Sequence, residues 1–374
     1  GQNSPDVAIS FLNIANLEID LSNYNIALDY LIKAEKIYIA NFGNDYPDLD
    51  VVYQNMGKVY NSRSDYEKAL NYYNKAIQLL KKKNPNHPRI PELNMNIGYI
   101  LFVREEYDKA LGYYHRSISP DRLSQLNIKV YRNLARCHQR LNHADSALFY
   151  YRQSIQISDA MAPGGYEKAS GLLYFGEFLQ SVGRTNEAEK NIREATRMME
   201  TLLGRKNRDL ADCYLKLGDL YINTNRPSDA LSYFHRAVVA LTPGYDEKDI
   251  HSIPEALPQN PDYYLLSAFE RKAQAYQQVW HDTKNLHFLK LSGQNYVVAG
   301  NVLDRIRSTY SSEESNIQFS GNVRQTLQKA MKTHIDLFRG TGDSIYLAEA
   351  FRFSEKSKSA LLMQAFHDQE ELAY

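Results

Sequence analysis

The stretch YQNMGKVYNSRSDYEKALNYYNKAI, residues 53–77, decides the fold. Gly57 stands in an apolar helical frame. An alanine follows twelve residues later (Ala69), a bulky ring sixteen later (Tyr73) and a second alanine nineteen later (Ala76). Small residues let two antiparallel helices approach closely while a bulky one fills the remaining space, so the spacing predicts a helical hairpin. The turn between them is polar, with acids where the second helix opens.

The frame recurs along the chain. Its first small residue is Ala15, Gly57, Gly98, Ala135, Gly176 and Gly218, at separations of 42, 41, 37, 41 and 42 residues. Twelve further on come Ala27, Ala69, Ala110, Ala147, Ala188 and Ala230; sixteen on, Leu31, Tyr73, Tyr114, Tyr151, Ile192 and Phe234; nineteen on, Ala34, Ala76, Ser117, Ser154, Ala195 and Ala237. One such hairpin cannot bury its faces, whereas a stack can, and the prediction is an all-α solenoid of antiparallel helical hairpins. The opening GQNSPD (1–6) aligns with GNDYPD (43–48) at an offset of 42, which places Gly1 at a repeat boundary and suggests a piece of something longer.

Composition narrows the function classes. The 374 residues carry 44 basic and 44 acidic side chains, so no global field points to nucleic acid or to a membrane. Tyrosine is abundant, at 29 residues, and suits half-buried helix seams where the ring packs and the hydroxyl stays wet. Cys137 and Cys213 fall in different repeats, which argues against a disulfide and for a reducing, cytoplasmic location. No apolar run approaches the roughly 20 residues that span a bilayer.

These repeat positions resemble the tetratricopeptide repeat (TPR), in the 42-residue form found in kinesin light chain and many bacterial proteins. The PD between units, in NSPDVA and DYPDLD, belongs to that form. The resemblance covers residues 6–242 and implies a right-handed superhelix with a concave inner wall, no cofactor, and a protein or peptide partner. Six units start at about 8, 50, 91, 128, 169 and 211. A proline-rich acidic loop follows at 243–262, then two longer hairpins over 263–366 joined by STYSSEESN, then a tail at 367–374. A narrower resemblance rests on NPDYYLLSAFERKAQAY and EAFRFSEKSKSALLMQAF. These look like the junction between such repeats and a CHAT domain, a caspase-like cysteine peptidase whose catalytic His and Cys would lie beyond Tyr374.

Within the chain no catalytic constellation emerges: there is no CxxC, HExxH, phosphate-binding glycine loop or GxSxG. Cys137 and His138 are neighbours on a helix and point about 100° apart, so they form no nucleophile and base pair, and His138 reads as a seam residue. GTGDS (340–344) reads as a turn, and the basic run in LLKKKNPNHPR (79–89) as a helix C-terminus rather than a nucleic-acid contact. No metal site and no enzyme are expected.

Numbering each unit from 1, positions 2, 6, 9 and 13 of the first helix form one stripe opposite the packing face. Asn13, Asn55, Asn96 and Asn133 all occupy position 6. In the resembling families an asparagine here contacts bound peptide; the alternatives are that Asn merely tolerates an exposed helix face or holds the neighbouring helix. Since Asn costs roughly half a kcal/mol of helix propensity against Ala, its recurrence favours a groove. Repeat 4 adds Lys129, Arg136 and Arg140 on the stripe and Arg132 beside it, whereas repeats 5 and 6 present Glu177, Asp212 and Asp219, so the groove is expected to be basic near its middle and acidic toward its later repeats.

The expected function is a scaffold whose groove captures an extended acidic segment and regulates a C-terminal caspase-like peptidase, without touching nucleic acid or membrane. The alternative is an assembly scaffold acting through self-association.

Overall fold

The computed structural model describes residues 4–21, 23–46, 48–309 and 317–371, and their side chains except those of 307–309, 317–322 and 359–371. Most of the STYSSEESN link therefore lies outside the described residues. Among the described residues there are sixteen α-helices and no strand. They divide into two units, Gly1–Pro163 and Gly164–Tyr374.

Unit 1 holds four hairpins: α1 (Pro5–Asp20) with α2 (Tyr24–Phe42), α3 (Leu49–Ser62) with α4 (Tyr66–Lys83), α5 (Ile90–Val103) with α6 (Tyr107–Arg116), and α7 (Gln125–Arg140) with α8 (Ala144–Met161). Unit 2 holds four more: α9 (Tyr166–Ser181) with α10 (Thr185–Leu203), α11 (Arg208–Asn223) with α12 (Pro227–Leu241), α13 (Tyr263–Thr283) with α14 (Leu286–Thr309), and α15 (Ile317–Thr341) with α16 (Ser344–Glu371). Within each unit the second helix of a hairpin packs on the first helix of the next.

The repeating frame works by volume. A Cβ added to Gly57 would lie 2.6 Å from the Tyr73 ring, and one added to Gly98 would lie 2.8 Å from Tyr114. Position 8 is small because position 24 fills its space, and both partners sit in the core. The alanines twelve residues on, from Ala27 to Ala230, are all fully buried at the closest approach of the two helices.

In the five hairpins from α3 to α12 the turn bends at position 15. Ser64 (φ 62°), Glu105 (62°), Asn142 (60°), Gly183 (79°) and Asn225 (56°) all take the left-handed conformation there, although only one is glycine. The 37-residue step between Gly98 and Ala135 comes from the short α6, only 10 residues long. Buried Asn127 closes the loop after it, accepting from the Ser119 N–H (2.8 Å) and donating to the carbonyls of Ser119 (3.1 Å) and Asp121 (2.7 Å).

The frame does not stop at Leu241. In the hairpin of α13 and α14, Ala273 takes the small position, with Leu289 sixteen residues and Ser292 nineteen residues further on, all fully buried. The sequence loses sight of it because the longer turn puts Asn285 where an alanine should stand.

Residues 243–262 form no helix or strand, yet they are held firmly as a strap. Side chains of distant elements capture its backbone carbonyls. Lys206 donates to Thr242 (3.0 Å) and Tyr245, Tyr276 to Ile250 (2.9 Å), Lys272 to Ser252 (3.1 Å), and Arg305 to Leu257 and Pro258 (2.9 Å each). His235 Nε2 meets the Glu247 carbonyl at 2.8 Å, so it carries the proton and leaves Nδ1 to accept from Lys272 Nζ at 3.2 Å. Lys272 is 0% exposed, and burial drives its pKa down to about 7 while Asp249 pulls the other way. The strap's acids Asp246 and Asp262 meet Lys206 (3.1 Å) and Arg208 (3.4 Å), both residues of unit 2.

Candidate functional site: the wall of first helices

The first helices lie beside one another in each unit, α1 beside α3 and α5 beside α7 in unit 1, α9 beside α11 and α11 beside α13 in unit 2. Their stripes of positions 2, 6, 9 and 13 make the candidate site. A regular link runs across it: position 6 of one repeat reaches position 9 of the repeat before. Asn55 Nδ2 donates to Asn16 Oδ1 at 2.8 Å, Lys216 pairs with Glu177, and Arg271 pairs with Asp219 at 3.0 Å. Arg271 is position 6 in the frame set by Ala273, so one geometric rule spans α1 to α3, α9 to α11 and α11 to α13.

This rule corrects part of the expected asparagine ladder. Asn55 is 5% exposed and its donor is already used, so it locks two repeats together and offers no open amide. Asn13 is exposed. Asn96 differs from both. The residue at position 9 of the preceding repeat is Lys58, a cation that cannot accept a hydrogen bond, and the buried Asn96 Nδ2 has no acceptor. For Asn133 the corresponding residue is Tyr99, 42% exposed, and Asn133 itself is half-buried.

Lys129, Arg132, Arg136 and Arg140 of repeat 4 are all on α7. Lys129 and Arg140 are exposed; Arg132 and Arg136 are half-buried and both engage neighbouring groups. The Arg136 guanidinium lies over the Phe102 ring of α5, 4.7 Å from its centroid, a packing that also desolvates one face of the cation. Mutual repulsion along the stripe is thus eased by aromatic contact as well as by solvent.

The acidic residues of repeats 5 and 6 do not form an open acidic patch, and this expectation is corrected too. Glu177 and Asp219 are consumed by the links to Lys216 and Arg271. Burial pushes the carboxyl of Asp212 upward, opposed by Lys216, reinforced by Glu177 and opposed again by Arg271. Burial disfavours the Lys216 charge, but Glu177 and Asp212 outweigh it and hold the ammonium above its usual range. Signs alternate across the three helices, and opposite charges compensate locally.

A second pattern escaped the sequence reading and accounts for much of the tyrosine. Positions 4, 11 and 23 place rings in the seam of a hairpin, as Tyr53, Tyr60 and Tyr72 do and as Tyr214, Tyr221 and Tyr233 do. A cation at position 26 then caps them: Lys33 over Tyr30 (5.1 Å), Lys75 over Tyr72 (4.9 Å), Arg116 over Tyr113 (4.9 Å) and Arg236 over Tyr214 (4.3 Å). Aligning position 26 with position 23 would have revealed it. His138 stands at position 11 and stacks on Tyr150 with ring centroids 5.4 Å apart; burial, then His143 and His115, hold its pKa down.

Chemistry is sparse elsewhere. Both cysteines are free and buried, and burial pushes each thiol to about 12, so neither is a reactive thiolate. No group of three or more His, Cys, Asp or Glu able to hold a metal occurs among the described residues. No helix among them is long and apolar enough to cross a membrane.

Comparison with curated protein sequences finds no match. Among solved structures, BtubC (BKLC) from P. vanneervenii superposes with a TM-score of 0.52 at 15% identity, over 66% of this chain and 94% of that one. A tetratricopeptide repeat protein from Parabacteroides merdae gives a TM-score of 0.50 at 12% identity, over 82% of this chain and 98% of that one. At such identities the likeness concerns fold. Family profiles described as tetratricopeptide repeat match residues 6–82 and 167–239, and another of the same description matches 128–160. With hairpins of the same frame at those segments, the chain carries tetratricopeptide repeats.

Proposed function

We propose that this protein is a binding scaffold in which the first-helix wall of unit 1 captures an extended acidic protein segment at repeats 3 and 4. The carrying observation is the lapse of the inter-repeat link there: Asn96 Nδ2 is buried on the wall with nothing to accept its hydrogens. A backbone carbonyl of an extended ligand would satisfy it once the ligand displaces the side chains that cover this nitrogen. Lys129, Arg132, Arg136 and Arg140 on the next helix supply positive charge for acidic side chains. The wall of unit 2, with its acids and cations compensated, serves mainly to hold repeats together.

The test is fluorescence anisotropy with a labelled oligo-glutamate peptide and an oligo-lysine control. Arg132→Glu with Arg136→Glu should weaken oligo-glutamate binding about tenfold or more, and wild-type binding should fall as salt rises. Binding that survives the double reversal at full strength refutes the site.

The same scaffold would regulate a caspase-like CHAT peptidase in cis. Regulation in cis rests on the resemblance of NPDYYLLSAFERKAQAY and EAFRFSEKSKSALLMQAF to the junction that precedes such domains. The reading frame beyond Tyr374 tests it: a caspase-like α/β domain with a catalytic His and Cys supports regulation in cis, and a stop codon there removes it.

A further inference from the structure

The strap of residues 243–262 is fastened by opposite means at its ends and in its middle. Cations hold the ends. Lys206 donates to the Thr242 carbonyl (3.0 Å) and pairs with Asp246 (3.1 Å), and Arg305 donates to the carbonyls of Leu257 and Pro258 (2.9 Å each). Between Glu247 and Ser252 the fastening is a buried amine beside a buried imidazole. Lys272 Nζ donates to the Ser252 carbonyl (3.1 Å), His235 Nε2 donates to the Glu247 carbonyl (2.8 Å), and Nζ meets His235 Nδ1 at 3.2 Å. Lys272 is 0% exposed and His235 3%.

The hydrogen bonds of this pair count its protons. Two acceptors face Lys272, the Ser252 carbonyl and His235 Nδ1, and a neutral amine has two hydrogens to give them. An ammonium brings a third, which finds no acceptor among the described residues. His235 is complete as well, since a proton added at Nδ1 would set donor against donor. Either charge therefore stands in a buried site with no place for it. The surroundings compensate little. The strap contributes Asp249, which is exposed, His251, whose Nδ1 lies 2.9 Å from the Tyr276 hydroxyl of α13, and Tyr245, whose ring centroid lies 6.0 Å from that of His235. Helix α14 adds His287, another imidazole, with its centroid 6.2 Å from that of His251. Helix α11 turns Asp212, Lys216 and Asp219 to the wall, where Asp219 pairs with Arg271. The ends of the strap need cations; its middle excludes them.

We propose that the middle of the strap is a proton-operated latch: protonation of the Lys272 and His235 pair in mild acid releases residues 247–252 from α12 and α13 while both ends of the strap stay tethered. Release uncovers Tyr276, which is 0% exposed while it donates to the Ile250 carbonyl. In the closed strap burial holds the Lys272 amine down to about 7, with Asp249 opposing, and holds His235 below its usual value, with Lys272 reinforcing. Released side chains regain their ordinary values, so opening takes up protons and becomes easier as pH falls. With 7 in the closed strap against 10.5 in the open one, Lys272 alone makes opening about tenfold more favourable at pH 5.5 than at pH 8, and His235 adds its part below 6.5. The latch lies wholly in unit 2 and is independent of the peptide site on the wall of repeats 3 and 4.

The test is amide hydrogen exchange of the 374-residue chain at pH 8 and pH 5.5, read by mass spectrometry and corrected for the intrinsic effect of pH on exchange. In the closed strap the His251 and Ser252 amides donate to Asp249, at 3.0 and 3.1 Å. Relative to the intrinsic rate, their exchange in the wild type should be at least about tenfold faster at pH 5.5, while the amides of α11 and α12 keep their protection. Lys272→Met leaves the strap held by His235, Tyr276 and Arg305, and its response to pH should be about tenfold smaller. The wild type decides on its own: strap exchange that is unchanged between the two pH values, or that accelerates no more than exchange in α11 and α12, overturns the proposal. So does a Lys272→Met protein that keeps the full response.

Discussion

Replacing Lys272 by methionine should change the slope of stability against pH more than its value at neutrality. The ammonium is fully buried beneath the strap, and its folded pKa of about 7 lies well below the ordinary value of 10.5. Between those values the unfolded chain binds a proton that the folded chain does not, so stability rises with pH across the interval. Below about 7 both states are protonated and the penalty is constant, at about 4–5 kcal/mol; above 10.5 it vanishes. Between pH 7 and pH 9 the wild type should therefore gain about 2 kcal/mol from this one group, and Lys272→Met should forgo that gain. At pH 7 methionine removes the charge penalty but leaves the Ser252 carbonyl and His235 Nδ1 without a donor, at about 1–3 kcal/mol each, so the net change there is small. The buried thiols of Cys137 and Cys213, pushed up to about 12, are common to both proteins and cancel in the comparison. Urea unfolding followed through Trp280, the sole tryptophan and a residue of the same helix, restricts the readout to unit 2. Parallel stability curves for the two proteins from pH 7 to pH 9 would refute the assignment of a neutral amine at Lys272.

Other outcomes are more local. Glu105→Gly relieves a left-handed residue with a side chain and should raise the thermal midpoint, equivalent to about 1 kcal/mol, whereas Gly183→Ala at the corresponding turn should lower stability by a similar amount. Asn55→Ala should cost about 1 kcal/mol in urea unfolding through the lost bond to Asn16, and leave oligo-glutamate affinity unchanged. Asn96→Ala should do the reverse, sparing stability because its donor has no partner while lowering that affinity.

The hairpins were legible because their constraint is local and volumetric: Gly57 must be small if Tyr73 is to fit, and both lie in one unit of sequence. The role of position 6 was not, because its meaning depends on a residue in another repeat. Asn55 and Asn96 look alike in their own repeats, yet one faces Asn16 and the other has Lys58 at the corresponding place. Reading position 6 against position 9 of the preceding unit would have separated the locked amide from the unpaired one. The strap resisted for a similar reason. Its prolines and acids read as a linker, while the groups that hold it, Lys206, His235, Lys272, Tyr276 and Arg305, sit on helices before and after it.

One rule thereby accounts for both the rigid and the receptive parts of the wall. Where position 9 offers an acceptor, position 6 of the next repeat takes it, and the two repeats are tied by Asn to Asn, Lys to Glu or Arg to Asp. Where position 9 is Lys58, the same carboxamide loses its acceptor while its desolvation cost remains. Placing Glu at residue 58 tests this directly. Lys58→Glu should give Asn96 an acceptor, raise the stability of unit 1 by about 1 kcal/mol in urea unfolding, and lower affinity for oligo-glutamate by closing the donor and adding a negative charge to the wall. Gain of stability without loss of affinity would separate the lock from the ligand site and leave the basic residues of α7 as the whole of the recognition surface.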